Sequence, residues 1–252
     1  MTSPSYHLDR TSAQSFGSAS EQYDRFRPGP PPGLIEDLVA AQPIDVLDVG
    51  CGTGKVARDL IGRGMRVTGV EVDERMAAIA RGHGIPVEVA EFESWDARGR
   101  GFDLITCGDA WHWIDPVRGT GKAGSLLRCG GTLAVFWSYC LLDDDVAGRF
   151  QRVYDEHAPQ ARTHSYFPRQ ALGEPFAPSA AFGPTETRGY RWDVRVSAAD
   201  WTGLIATFSD HRALTPAQLS TVQAALGAII DDLGGHITVS RGVHAAFARR
   251  LE

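Results

Sequence analysis

A chain of 252 residues, 43% of them hydrophobic, is long enough for one substantial core with an elaboration built onto it. Its formal charge of −6, with no Lys/Arg run and no aromatic-basic interleaving, gives nucleic acid no attractive field and argues against it as a partner. No apolar run approaches the ~18 residues of a membrane span, and the opening M-T-S-P-S-Y-H-L-D-R has no apolar signal core, so the expectation is a cytoplasmic protein with no membrane partner.

In chain order, the first segment is a polar arm, F-G-S-A-S-E-Q-Y-D-R-F-R, then a proline run and an amphipathic helix through Leu34, Leu38 and Val39. Next comes D-V-L-D-V-G-C-G-T-G-K from Asp45 to Lys55, a β-branched strand that breaks into glycines at Gly50, Gly52 and Gly54. Without Cβ atoms the backbone there can take strained conformations and lie directly against a ligand. Val56, Ala57, Leu60 and Ile61 then mark one face of a helix. Strand, glycine turn and helix make the first half of a βαβ unit, with the helix N-terminus aimed at the ligand.

The glycine spacing is G-x-G-x-G, where a dinucleotide site needs G-x-G-x-x-G. Asp48, two positions before the first glycine, is poorly placed beside a pyrophosphate and well placed to hold the loop or accept from an ammonium group. The segment D-V-G-C-G-T-G resembles the first motif of the class I S-adenosylmethionine-dependent methyltransferases. That resemblance implies a Rossmann-like α/β fold, a seven-stranded mixed sheet flanked by helices, and S-adenosylmethionine as cofactor. Around the loop it assigns Asp48, Gly50, Cys51, Gly52 and Gly54 to the cofactor. It also gives the arm a role, since Tyr23 and Arg27 match a Y-x-x-x-R-P pattern in which both close over the cofactor and the guanidinium pairs with the methionine carboxylate. An exposed arginine in a polar arm is the alternative.

The second strand, M-R-V-T-G-V-E-V-D, ends at Glu71 and Val72, and Glu71 lies 21 residues after Gly50. An acidic strand tip at about that distance can accept hydrogen bonds from both hydroxyls of a ribose. Asp73 can cap the next helix, whose Met76 either faces the ligand or packs in the core. A third strand at Val87 and Val89 runs into a loop where the resemblance places the adenine, on the side chain of Glu91 and the backbone N–H of Phe92.

The fourth strand, F-D-L-I-T-C-G-D, carries Gly108 at its end and leads into A-W-H-W-I-D-P, so Trp111, His112 and Trp113 are expected to project from the rim of the site. This segment resembles the L-H-W-F-D of a subgroup that includes trans-aconitate methyltransferase. His112 is a candidate general base, or else hydrogen-bonds the loop or packs between the indoles. The G-G-T-L-A-V-F-W-S stretch returns as the fifth strand after a turn similar to the family's L-R-P-G-G, with Cys129 in place of proline.

Beyond Ser138 the sequence predicts a helix from D-D-D-V-A-G-R-F, an irregular stretch over 158–187, and a sixth strand in R-G-Y-R-W-D-V-R-V. It then predicts helices in A-A-D-W-T-G-L-I-A-T-F and T-P-A-Q-L-S-T-V, the second with Thr215 as N-cap, and a last strand in G-H-I-T-V-S. The expected organisation is an arm over 1–42, a cofactor-binding core over 43–140, and a substrate-capping segment with the last two strands over 141–252. Long irregular stretches are commonly lids. Candidate lining residues are Trp111, His112, Trp137, Tyr139, His164, Tyr166, Phe167, Trp192 and Trp201, which suggests a small organic acceptor.

Cys51, Cys107, Cys129 and Cys140 form no C-x-x-C pair and have no metal-ligand spacing, so no metal is expected and all four are read as small buried hydrophobes. The expected activity is methyl transfer to a carboxylate or hydroxyl of a small molecule. A non-catalytic S-adenosylmethionine-binding protein and a nicotinamide-dependent oxidoreductase remain as alternatives, as do monomer and homodimer.

Overall fold

A run of apolar β-branched residues bounded by turn signals is buried on both faces when it forms a central parallel strand. The computed structural model, which describes residues 16–161 and 176–252, places five such strands side by side. They are β1 (Asp45–Val49), β2 (Arg66–Glu71), β3 (Val87–Val89), β4 (Phe102–Gly108) and β5 (Leu127–Leu142). The strands β6 (Glu186–Ser197) and β7 (His236–Arg249) complete a seven-stranded sheet of order β3-β2-β1-β4-β5-β7-β6, in which β7 runs antiparallel to both neighbours. This is the expected mixed α/β sheet. Strand order reverses between β1 and β4, and ligands of open α/β sheets bind at the carboxyl ends beside that point.

The helices are α1 (Ser20–Phe26), α2 (Pro32–Val39), α3 (Lys55–Ile61), α4 (Glu74–Gly82), α5 (Pro116–Leu126), α6 (Asp144–His157), α7 (Ala198–Ile205), α8 (Ser209–Arg212) and α9 (Pro216–Asp232). Local chemistry starts several of them. Asp73 accepts the Arg75 N–H at the head of α4, and Asp115 accepts the N–H groups of Val117 and Arg118 before Pro116 opens α5. Thr215 and Gln218 form a reciprocal capping box ahead of Pro216 in α9.

Helices α2, α3 and α4 bury Leu34, Leu38, Ala57, Leu60, Ala77 and Ala80 against one face of the sheet. On the other face, Phe92, Trp95, Trp111, Ala123 and Phe176 pack over Leu47, Ile105, Leu133 and Val135. The fifth and seventh strands are longer than the sequence predicts, at 16 and 14 residues. Pairing between β4 and β5 stops at Gly108 opposite Phe136, while β5 continues to Leu142 along β7. Helices α6, α7 and α9 pack on this overhang through Val146, Phe150, Tyr154, Leu204, Leu226 and Ile230. A cap therefore rises from the carboxyl edge of the sheet.

Two expectations are corrected by the packing. Trp201 is 1% exposed with its ring 5.7 Å from that of Phe150, so it fills the cap's core and lines no substrate site. Cys129 is exposed near the start of β5, whereas Cys51 and Cys107 are buried and Cys140 is intermediate.

Candidate active site

The glycine loop joins β1 to α3. Gly50, Gly52 and Gly54 have φ values of +62°, +56° and +84°, the left-handed region that side chains disfavour. Space compounds the restriction at two of them, because a Cβ on Gly54 would lie 2.0 Å from Ile85 Cδ1 and one on Gly50 2.5 Å from Ala110 Cβ. Gly52 is different. Its nearest neighbours would be Met76 Cε at 3.5 Å and Tyr23 Cε1 at 4.0 Å, ordinary contact distances, so a Cβ there would meet no collision and the restriction is the backbone angle alone.

Glu71 closes the loop from beside it. Its Oε2 accepts the Gly52 N–H at 2.9 Å, and its Oε1 accepts the N–H groups of Val72 at 2.9 Å and Asp73 at 3.0 Å. Burial pushes its pKa up, and the three backbone N–H groups work against that rise. Each carboxylate oxygen accepts about two hydrogen bonds, so Oε2 retains one acceptor position. Asp48 is buried below the loop, where Thr106 Oγ1 donates to its Oδ1 at 2.7 Å. Burial, with the nearby charge of Glu71 adding to it, pushes its pKa up to about 7.

Helix α1 spans the gap between this edge and the cap. Tyr23 is half-buried over the loop, and burial raises its phenol pKa. Asp24 anchors the helix to the core, its carbonyl accepting from Lys55 Nζ at 2.6 Å and its carboxylate lying 3.0 Å from His83 Nε2. Phe26 presses on Gly203 of α7, where a Cβ would stand 2.5 Å from the ring. Arg27 donates through Nε to Thr207 Oγ1 at 2.8 Å and through Nη2 to the Thr207 carbonyl at 3.1 Å, with its guanidinium 4.4 Å from the Phe208 ring centroid. The guanidinium expected to meet a carboxylate thus has two of its donors committed to the cap.

At the end of β3, the carbonyl of Glu91 accepts from the N–H groups of Ser94 and Trp95, shaping the expected adenine loop, and the Phe92 ring is buried in the core. Gly108 ends β4 where a Cβ would lie 2.4 Å from the Phe136 ring. Trp111, His112 and Trp113 follow as one 3₁₀ turn. Such a turn sends successive side chains in different directions, which corrects the expectation that all three line the rim. Trp111 is 3% exposed and meets Phe176 edge-on at 6.0 Å, in the core. His112 lies 4.8 Å from the Trp113 ring. Burial lowers its pKa, against the pull of the Asp109 charge, so the imidazole is neutral at pH 7 and able to take a proton.

Tyr139 stacks on His244 at 4.9 Å, over a glycine, Gly242, whose missing Cβ makes room for its ring. Trp137 packs half-buried against the core cluster that contains Trp111. Trp192 packs with Tyr190 on the sheet face that holds α2, opposite Arg241 in the overhang of β7. His164, Tyr166 and Phe167 lie outside the described residues. Sequence reasoning missed Asp24, His244 and Asp109, of which Asp109 has φ +52°. Asp24 was within reach of the sequence, as an acid on the arm beside Tyr23.

A methyltransferase-domain family model matches residues 23–177, more than half of the chain. An uncharacterized methyltransferase of Mycobacterium bovis is 36% identical over 132 residues, 51% of this chain and 54% of the relative. A ubiquinone biosynthesis O-methyltransferase of Coxiella burnetii is 32% identical over 106 residues, covering 39% of this chain and 45% of that one. The aligned parts therefore span about half the length of these curated relatives. Among solved structures, a protein of Anaeromyxobacter dehalogenans provisionally described as a type II methyltransferase superposes with a TM-score of 0.63 at 24% identity, over 90% of this chain and 99% of its own. A Haemonchus contortus phosphoethanolamine N-methyltransferase, solved with phosphomonomethylethanolamine and S-adenosylhomocysteine, gives 0.54 at 15% identity, over 100% of this chain and 61% of its own. Sheet order, glycine loop and family match agree, and the chain belongs to the class I S-adenosylmethionine-dependent methyltransferase family.

Proposed function

We propose that this protein transfers a methyl group from S-adenosylmethionine to an oxygen, carboxylate or hydroxyl, of a small organic acceptor. The observation that carries the proposal is the left-handed glycine loop at Gly52, flanked by Met76 and Tyr23, whose N–H is held by the Glu71 carboxylate. The donor set suits an adenosyl cofactor. Glu71 Oε2 has an acceptor position for a ribose hydroxyl, the 90–95 loop offers backbone and apolar groups for the base, and Gly50 to Gly54 let the methionine part lie on bare backbone.

Bound there, the cofactor supplies an electrophilic methyl group on a sulfonium. The protein then has to align an acceptor oxygen behind that methyl and exclude water. Helix α1 supports the second task, since Asp24, Phe26 and Arg27 tie it to both core and cap. His112 is neutral at pH 7 and able to remove the proton of a hydroxyl acceptor, whereas a carboxylate acceptor needs no base. Resemblance of the A-W-H-W-I-D segment to the trans-aconitate methyltransferase subgroup supports a small carboxylic or hydroxylated acceptor. The O-methyltransferase relative from Coxiella burnetii points the same way over its aligned part.

The test is a screen with isotopically labelled methyl donor and a panel of small carboxylates, phenols, alcohols and amines, read by mass spectrometry. Label in an ester or ether supports the proposal; label in amines alone contradicts the oxygen assignment, and label in none contradicts catalysis on such acceptors. With a hydroxyl acceptor, His112→Ala is expected to lower kcat about 100-fold or more with donor Kd unchanged. A parallel loss of donor affinity would make the residue structural.

A further inference from the structure

Asp109 is the first residue beyond β4 and has no place in the roles assigned above. Its φ of +52° puts a residue with a Cβ in the left-handed region at the carboxyl edge of the sheet. Such strain persists only where neighbours hold it, and it concentrates at functional sites. Here the Asp109 N–H donates to the Phe136 carbonyl at 2.9 Å and its Oδ1 accepts the Ser138 N–H at 2.7 Å. Both bonds go to β5, where that strand leaves β4 to support the cap. The next residue, Ala110, is pressed against Gly50 so closely that a Cβ there would lie 2.5 Å from its own. The turn is thereby fixed against the glycine loop, with the carboxylate beside it.

We propose that the Asp109 carboxylate provides the fixed negative charge that makes this site prefer a sulfonium over a neutral thioether, drawing in the charged methyl donor and weakening the hold on the spent product. The inference rests on the reading of the loop edge as the methyl-donor site. When the acceptor oxygen bonds to the methyl carbon, the carbon–sulfur pair stays on sulfur and its positive charge disappears, so the attraction of Asp109 lapses with the chemistry. The Asp109 charge acts on the side chains of Tyr23, His112 and Cys107, and all three are uncharged at pH 7. Asp109 is half-buried, so its field is only partly screened by solvent.

The test is calorimetric titration of wild type and Asp109→Asn with S-adenosylmethionine, S-adenosylhomocysteine and sinefungin, which carries an amine cation near the sulfonium position. Asparagine retains an oxygen for the Ser138 N–H and removes only the charge. The expected result is a fall of about five- to tenfold in affinity for the two cationic ligands, with S-adenosylhomocysteine within about twofold. Equal loss for all three ligands would make Asp109 a structural clasp and overturn the inference, as would no change in any. If the variant unfolds below the assay temperature, the same ratio measured for the wild type across ionic strength decides: the preference for the cations must fall with salt, and a salt-independent ratio overturns the proposal. Binding of none of the three to the wild type would overturn the donor-site reading itself.

Discussion

Two pairs of carboxylates, one at each edge of the sheet, are used in opposite ways. At the amino edge, Asp45 and Asp103 face Arg66 and Arg128 across ion pairs of 2.6 to 2.9 Å. The Arg66 and Arg128 hydrogen bonds hold the Asp45 carboxyl below its usual range; at Asp103 partial burial opposes the drop but is outweighed by the Asp45 N–H and Arg128. At the carboxyl edge, Asp48 and Glu71 are 2% and 7% exposed, and they accept from a threonine hydroxyl and from backbone N–H groups. Their pKa values rise, chiefly through burial. Neutralised charge at one edge serves the fold, and buried, incompletely compensated charge at the other is affordable only where it orders a loop and meets a cationic ligand.

Breaking the loop's own carboxylate gives the largest expected effect. Glu71→Ala strips three backbone N–H groups of their acceptor and should cost about 3 kcal/mol of stability or more, measured by urea denaturation. Where the variant still folds, donor affinity should drop at least about tenfold. An unchanged Kd in folded Glu71→Ala would break the ribose assignment. Gly54→Ala comes next, because it adds left-handed strain to a collision with Ile85, for about 2–4 kcal/mol on the same measurement.

Asp48 sharpens the comparison through pH. Its folded-state pKa of about 7 lies above the unfolded value of 3.8, so between those values the folded state holds the extra proton and stability falls as pH rises. That loss should amount to about 2 kcal/mol between pH 5 and pH 7, and Asp48→Asn should flatten it. Glu71 shifts in the same direction and should leave a residual slope. The smallest effect belongs to the opposite edge. Arg128→Ala removes exposed ion pairs and should leave donor affinity within about twofold.

What the sequence made legible was local. The glycine loop, the Asp73 and Thr215 caps, and Glu71 at a strand tip follow from residue type and spacing, because each acts within a few positions of itself. The overhang of β5 and β7 was hidden, since residues 137–142 and 239–244 become strand only by pairing with each other across about a hundred residues. Direction was equally hidden for Trp111, which a 3₁₀ turn rotates into the core, and for Trp192, whose face depends on where β6 lies. Asp109 gave no signal because backbone strain has no letter code. The second task of Glu71, bracing Gly52 before any ligand, is a fact of three dimensions.

The most direct test of the central claim, that the carboxyl edge at Gly50–Gly54 holds an adenosyl methyl donor, is calorimetric titration of the wild-type protein with S-adenosylhomocysteine beside NADH. Micromolar binding of S-adenosylhomocysteine alone is the predicted result. Binding of NADH alone, or of neither, would contradict it.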